Sequence, residues 1–189
     1  KNSIVANSGG ACLVLTGRDH LITNNIIHDC GYSGSGQGGI NIRPDAAVES
    51  GTSDRGGHVI SFNTIYNAGR SAIDMYKDPQ YFNDTGRGQP TPYRKIWIHH
   101  NELYNANILA KDSGIFYTFG TTGGTAGDPG DISYNVIHDD LQPGPLGWGV
   151  YLDENSYNFN VHNNVIWMGR EGGNCSLLCR GATFINTAP

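Results

Sequence analysis

An asparagine recurs along this chain in one local frame, at Asn25, Asn63, Asn101, Asn135 and Asn164. Three residues before each stands a β-branched residue: Ile22, Ile60, Ile98, Ile132 or Val161. Two residues after each stands Ile27, Ile65, Leu103, Ile137 or Ile166, followed by His28, Tyr66, Tyr104, His138 or Trp167. An aliphatic residue beside a polar or aromatic one is the alternation of a strand that packs one face, so each Asn sits between two short strands. Asn tolerates the left-handed backbone of a tight turn, and its amide can bond the equivalent amide one coil above or below. The frame therefore predicts stacked coils joined by an asparagine ladder, with the tight turn at the Asn itself.

A further strand recurs upstream of the frame, as Gly39-Ile40-Asn41-Ile42, Ala72-Ile73-Asp74-Met75, Gly114-Ile115-Phe116-Tyr117 and Gly149-Val150-Tyr151-Leu152. That makes three strands per turn. The intervals between ladder residues are 38, 38, 34 and 29, unequal because loops of different length interrupt a shorter coil. The predicted fold class is all-β, a single-stranded right-handed parallel β-helix of about six turns, roughly 30 Å long at the usual strand spacing. Residues 1–189 read as a single β-helix domain, complete or a fragment of a longer chain. The leucine spacing of leucine-rich repeats and the glycine-aspartate nonapeptide of calcium-binding β-rolls are both missing.

Composition narrows the partners. A formal charge of −5 without a Lys/Arg cluster argues against nucleic acid, and no apolar run is long enough to cross a bilayer. The opening Lys1-Asn2-Ser3-Ile4 lacks the regions of a signal peptide, as expected of a processed secreted chain or a fragment. Cys12, Cys30, Cys175 and Cys179 form no zinc spacing. Cys175 and Cys179 flank three residues, and Cys12 and Cys30 lie about one coil apart; the spacing leaves the pairing open. With the sequons at Asn83 and Asn174, these cysteines favour a secreted or extracellular protein.

The succession of Asn-x-Ile-[His/Tyr/Trp] turns and Gly-Ile strands resembles the parallel β-helix repeats of the pectate-lyase-like superfold over nearly the whole chain. Within that superfold three stretches are most similar to β-helix glycoside hydrolases acting on xylans and fucosylated glycans: Lys111 to Gly120, Tyr134 to Asp139 and Gly147 to Glu154. The resemblance implies a pair of catalytic acids on adjacent turns, matching Asp112 and Asp153, with Trp148 and Glu154 beside them.

The residues also point to a site directly. Insertions at 43–57, 77–94 and 118–130 leave the coil at one corner and should wall a groove beside the Gly-Ile strands. Strand alternation sends Asn41, Asp74, Phe116 and Tyr151 outward in one row, and Arg43, Tyr76, Thr118 and Asp153 in a second. Aromatic rings suit the CH faces of sugars, and paired carboxylates supply acid and base for glycosidic cleavage. The expected substrate-binding residues are Tyr76, Phe116, Trp148, Tyr151 and Glu154, and the expected catalytic acids Asp112, Asp153 and Asp74. Asp112 and Asp153 are offset by up to about 20 Å along the strands, whereas Asp74 and Asp153 lie roughly 12 Å apart.

The functional expectation is a glycoside-hydrolase-like module taking a polysaccharide or glycan, with no cofactor. A polysaccharide lyase or epimerase is the runner-up, drawing on Arg43, Arg70, Lys77 or Lys111, with Ca²⁺ as its cofactor. A non-catalytic adhesin or filament-forming solenoid, with an end-to-end homo-oligomer or a flanking domain as partner, is the third. No metal site is expected, because His28 and His138 lie three turns apart, His99 and His162 two, and His99 and His100 alternate faces on one strand.

Overall fold

The computed structural model describes residues 1–33, 37–43, 55–76, 91–143 and 147–167, and the backbone of 177–179. Its strands fall into three sheets visited in strict rotation. The first sheet holds β1 (Ile4–Ser8), β4 (Ile26–Cys30), β7 (Thr64–Ala68), β10 (Glu102–Tyr104), β13 (Val136–His138) and β16 (Val165–Trp167). The second holds β2 (Leu13–Leu15), β5 (Ile40–Ile42), β8 (Ile73–Tyr76), β11 (Ser113–Phe119), β14 (Gly147–Leu152) and β17 (Leu177–Cys179). The third holds β3 (Leu21–Thr23), β6 (Val59–Ser61), β9 (Trp97–His99), β12 (Gly130–Ser133) and β15 (Phe159–His162). Every pairing is parallel, which is a parallel β-helix of about six turns with three strands per turn.

The aliphatic positions of the repeat stack into interior columns. Ile27, Ile65, Leu103, Ile137 and Ile166 are register partners in the first sheet, and Ile22, Ile60, Ile98, Ile132 and Val161 in the third. In the second sheet Ile40, Ile73, Phe116 and Val150 align. Together they form one continuous core down the axis.

At the corner between the third and first sheets the ladder is complete. The side-chain amide of Asn25 donates to Oδ1 of Asn63 at 2.9 Å, Asn63 to Asn101 at 2.9 Å, Asn101 to Asn135 at 3.0 Å and Asn135 to Asn164 at 3.0 Å. Each backbone N–H donates to the same oxygen. The second amide proton reaches a carbonyl of the coil beneath, as from Asn101 to Ile60. Asn25, Asn63, Asn101 and Asn135 are buried and Asn164 half-buried, so the inner bonds are protected from water and each loss would strand a neighbour's polar atom.

The tight turn lies one residue earlier than the sequence argument put it. Asn24, Phe62, His100, Tyr134 and Asn163 carry the left-handed backbone, at φ 53 to 56°. The ladder residue must aim its amide inward, so the reversal falls on the exposed residue before it. A second left-handed corner follows at Asp29, Asn67, Asn105 and Asp139, residue types that adopt it readily.

A disulfide joins Cys12 to Cys30, with Cα atoms 5.4 Å apart, and ties the first two coils together. The Cys175 pairing and the Asn83 and Asn174 sequons lie outside the described residues. Among the described residues no helix is long and apolar enough to cross a membrane.

Removing a middle rung of the ladder should be worse than removing the last. Asn101→Ala strands two donors of Asn63, and is expected to lower unfolding free energy by about 3 kcal/mol in urea titration. Asn164→Ala likewise strands two donors, those of Asn135, but Asn101→Ala also removes the amide that donates to Asn135 Oδ1, so the terminal variant is expected to lose less; equal losses would contradict the ladder's role. Replacing Cys12 and Cys30 by Ser frees a loop of 18 residues, with an expected loss of about 3 kcal/mol.

Candidate functional site

Register on the second sheet decides which side chains share its outward face. Asn41 on β5 pairs with Asp74 on β8, Asp74 with Tyr117 on β11, and Tyr117 with Tyr151 on β14. One outward row is therefore Asn41, Asp74, Tyr117 and Tyr151. This corrects the sequence alignment at β11 by one residue. Phe116 pairs with Ile73 and Val150, has no exposed surface, and meets the core ring of Phe159 at 6.5 Å. It is a core residue, not a substrate-binding one. Thr118 likewise pairs with Met75 and Leu152 and is fully buried, its hydroxyl bonded to that of Thr121. The cause is that Ile115 and Phe116 are consecutive apolar residues and both enter the core, which strict alternation does not allow. Gly114 permits this, because a Cβ there would stand 2.8 Å from the Cβ of Tyr151.

Aromatic and acidic groups assemble around that row. Tyr117, Trp148 and Tyr151 form a small cluster of their own, with Tyr76 and Phe119 packed against it. The Trp148 and Tyr151 rings lie 4.7 Å apart, and Tyr76 and Tyr117 5.6 Å apart. Arg70 reaches across both tyrosines, its guanidinium carbon 5.3 Å from the Tyr76 ring centre and 4.9 Å from that of Tyr117. Just beyond β14, Asp153 accepts hydrogen bonds from the Tyr117 hydroxyl at 2.7 Å and from the Glu154 backbone N–H at 2.8 Å.

Asp74 sits at the centre of the face with no exposed surface. Its Oδ1 accepts from the Asn41 amide. Burial pushes its carboxyl up to about 7, against the opposing pull of that hydrogen bond and of the Arg70 and Arg43 charges. Burial likewise pushes the Tyr76 and Tyr117 phenols well above their ordinary value, helped in Tyr117 by the bond to Asp153. Four buried polar atoms here have no hydrogen-bond partner: Asp74 Oδ2, Asn41 Oδ1, Tyr76 Oη and Arg70 Nε. Buried polar atoms are normally satisfied, so four orphans around one carboxyl need a reason.

The three acids proposed from sequence do not all meet. Asp74 and Asp153 lie on the same face, two strands and two register positions apart, about 12 Å between backbones. Asp112 precedes β11 whereas Asp153 follows β14, and Ser113 pairs with Gly147 while Thr118 pairs with Leu152. Those two therefore stand at opposite ends of their strands, seven register positions and about 24 Å apart. Asp112 is exposed and lines a cleft of about 290 Å³ with Lys111, Leu109, Gly69 and Arg70, so Arg70 alone links that cleft to the tyrosines. Glu154 is exposed and contributes its backbone to Asp153. Residues 44–54 and 77–90 of the first two insertions, Lys77 among them, lie outside the described residues. The third insertion rejoins the coil through bridges from Thr121 to Thr91 and from Thr122 to Tyr157.

Sequence reasoning missed Tyr117 as a central member and named Arg70 only as a basic residue for the lyase reading. Tyr117 was hidden by the one-residue register error. Arg70 leaves the first sheet's side of the coil, and only the fold carries its long side chain over Tyr76. Among the described residues no three His, Cys, Asp or Glu side chains gather as a metal-binding group. Comparison with protein-family models, curated proteins and solved structures finds no match to this chain.

The Asp74 environment makes a signed expectation for stability. Its folded pKa of about 7 lies above the ordinary 3.8, so the folded chain holds this proton more tightly than the unfolded chain. That contribution is fully present below about pH 4 and is lost as pH rises through 7, a change on the order of 4 kcal/mol. Thermal melts of the wild type minus those of Asp74→Asn should reveal the slope between pH 4 and 7. Parallel curves would contradict the assignment.

Proposed function

We propose that this chain is a carbohydrate-active β-helix module that cleaves glycosidic bonds, with Asp74 and Asp153 as its acid and base. The observation that carries the reading is the group of four orphaned polar atoms around Asp74, set among aromatic rings. A sugar is the ligand class that matches both: hydroxyls for the orphaned atoms and CH faces for the rings. The resemblance of residues 111–120, 134–139 and 147–154 to β-helix glycoside hydrolases supports the reaction class and Asp153, though it pairs Asp153 with Asp112 rather than with Asp74.

Asp74 keeps its proton near neutral pH and so serves as the donor to the leaving oxygen. Asp153, held by two hydrogen-bond donors, is oriented to activate water from the other side. Backbones about 12 Å apart leave room for the carboxyl separation that an inverting mechanism requires. Asp112 is assigned no part in bond cleavage; its cleft, sharing Arg70, suits a flanking portion of the glycan. The Cys12–Cys30 disulfide fits a secreted protein.

Burial favours one competing reading. Asp74 has no exposed surface and Tyr151 only 1%, so catalysis requires the face to open. A face that stays closed is a satellite core, and the solenoid is then structural. Xylan, fucosylated glycans and pectin, offered to wild type and to the Asp74→Asn, Asp153→Asn and Asp112→Asn variants, separate these readings. The expected result is hydrolysis that falls on the order of 10²- to 10⁴-fold in the first two variants and little in the third. Activity should decline as pH rises past about 7, where Asp74 loses its proton. An ultraviolet-absorbing unsaturated product would indicate a lyase instead. No cleavage and no binding of any polymer would leave the structural reading.

A further inference from the structure

The sequence pattern places His99 and His100 on opposite faces of one strand, and the structure brings them together. His99 ends β9, its side chain in the third sheet's outward row between Ser61 and Ser133. His100 takes the left-handed corner, with φ 55°, where the first and last described ladder corners hold Asn24 and Asn163. That backbone turns the second side chain back toward the first. The two Nδ1 atoms share one N–H···N hydrogen bond at 2.9 Å, with the rings at 87°.

His100 is also held from both sides. Phe62 stacks beneath it with centroids 5.0 Å apart and Tyr134 above at 5.1 Å, while the edge of Phe62 meets His99 at 5.9 Å. A bulky side chain in the left-handed region is strained, by about 1–3 kcal/mol, and three successive coils accept that strain here in exposed positions. The imidazole pair is thus built and orientated rather than left to wander on the surface.

We propose that His99 and His100 form a binding site for a divalent transition metal of the copper and nickel class, chelated through the two Nδ1 atoms. Metal–imidazole bonds are about 2.0–2.1 Å long, so ligands at a right angle have nitrogens about 2.9 Å apart and tetrahedral ligands about 3.4 Å apart. The observed 2.9 Å lies within the reach of one shared metal ion, and the affinity order of divalent first-row metals for imidazole puts Cu²⁺ ahead of Ni²⁺ and Zn²⁺. Chelation moves the proton of the Nδ1–Nδ1 hydrogen bond to Nε2 of the donor ring, so that both Nδ1 lone pairs can face the metal. No third His, Cys, Asp or Glu among the described residues joins the pair, so water fills the other positions and the site stays open. It lies on the third sheet's side of the coil and is independent of the Asp74 face.

Neighbouring coils supply the control substitutions. His100→Phe installs the residue that occupies the same corner at Phe62, and His99→Ser installs the residue of both register neighbours, Ser61 and Ser133. Circular dichroism of each variant checks that the coil is kept. The full chain is titrated with CuCl₂, NiCl₂ and ZnCl₂ by calorimetry, and the copper form is read by electron paramagnetic resonance. The expected result is one equivalent of Cu²⁺ with two nitrogen couplings, Ni²⁺ weaker and Zn²⁺ weaker still. Either single variant should lower copper affinity at least tenfold. Undiminished copper binding by the double variant, zinc binding as tight as copper, or no binding at all would overturn the site.

Discussion

The hydrogen-bonded column of Asn25, Asn63, Asn101, Asn135 and Asn164 is the constraint on which the rest of this molecule depends. A slip of one residue between coils would reverse every strand's inward and outward faces. From Asn63 to Asn164 each ladder oxygen accepts two donors from the coil beneath, so only one register satisfies the buried amides. Loops of different length can then be inserted elsewhere without disturbing it, and intervals of 38, 34 and 29 residues coexist in one stack.

That register also creates the tension at the second sheet. It sets Asn41, Asp74, Tyr117 and Tyr151 in one line, which draws a carboxyl into a buried aromatic setting. The ladder satisfies its polar atoms completely, whereas the Asp74 face leaves four unsatisfied. A ligand that supplied the missing partners would relieve the deficiency.

The interior columns were legible in the sequence because the Asn frame repeats with β-branched and aliphatic residues at constant offsets, and parallel stacking converts constant offsets into contacts. The left-handed corner was placed one residue late, since Asn is itself a common left-handed residue and nothing local shows that its side chain is needed inside. Phe62, His100 and Tyr134 at that corner run against local preference, and tertiary stacking overrides it. At the site, Asp74, Tyr76, Trp148, Tyr151 and Asp153 were reached by alternation and the aligned motifs. Phe116 was set outward by the same alternation and Tyr117 passed over, because the run Ile115-Phe116-Tyr117-Thr118-Phe119 carries aromatics at both alternating positions. The separation of Asp112 from Asp153 was readable from strand offsets alone, and the structure retains it.

A crystal structure of the chain soaked with the oligosaccharide that it binds most tightly tests most directly whether the orphaned atoms await a sugar. The account predicts ligand hydroxyls within hydrogen-bond distance of Asp74 Oδ2, Asn41 Oδ1, Tyr76 Oη and Arg70 Nε, with a ring face against the Tyr117, Trp148 and Tyr151 cluster. A sugar bound elsewhere, with those four atoms still buried and untouched, would contradict it.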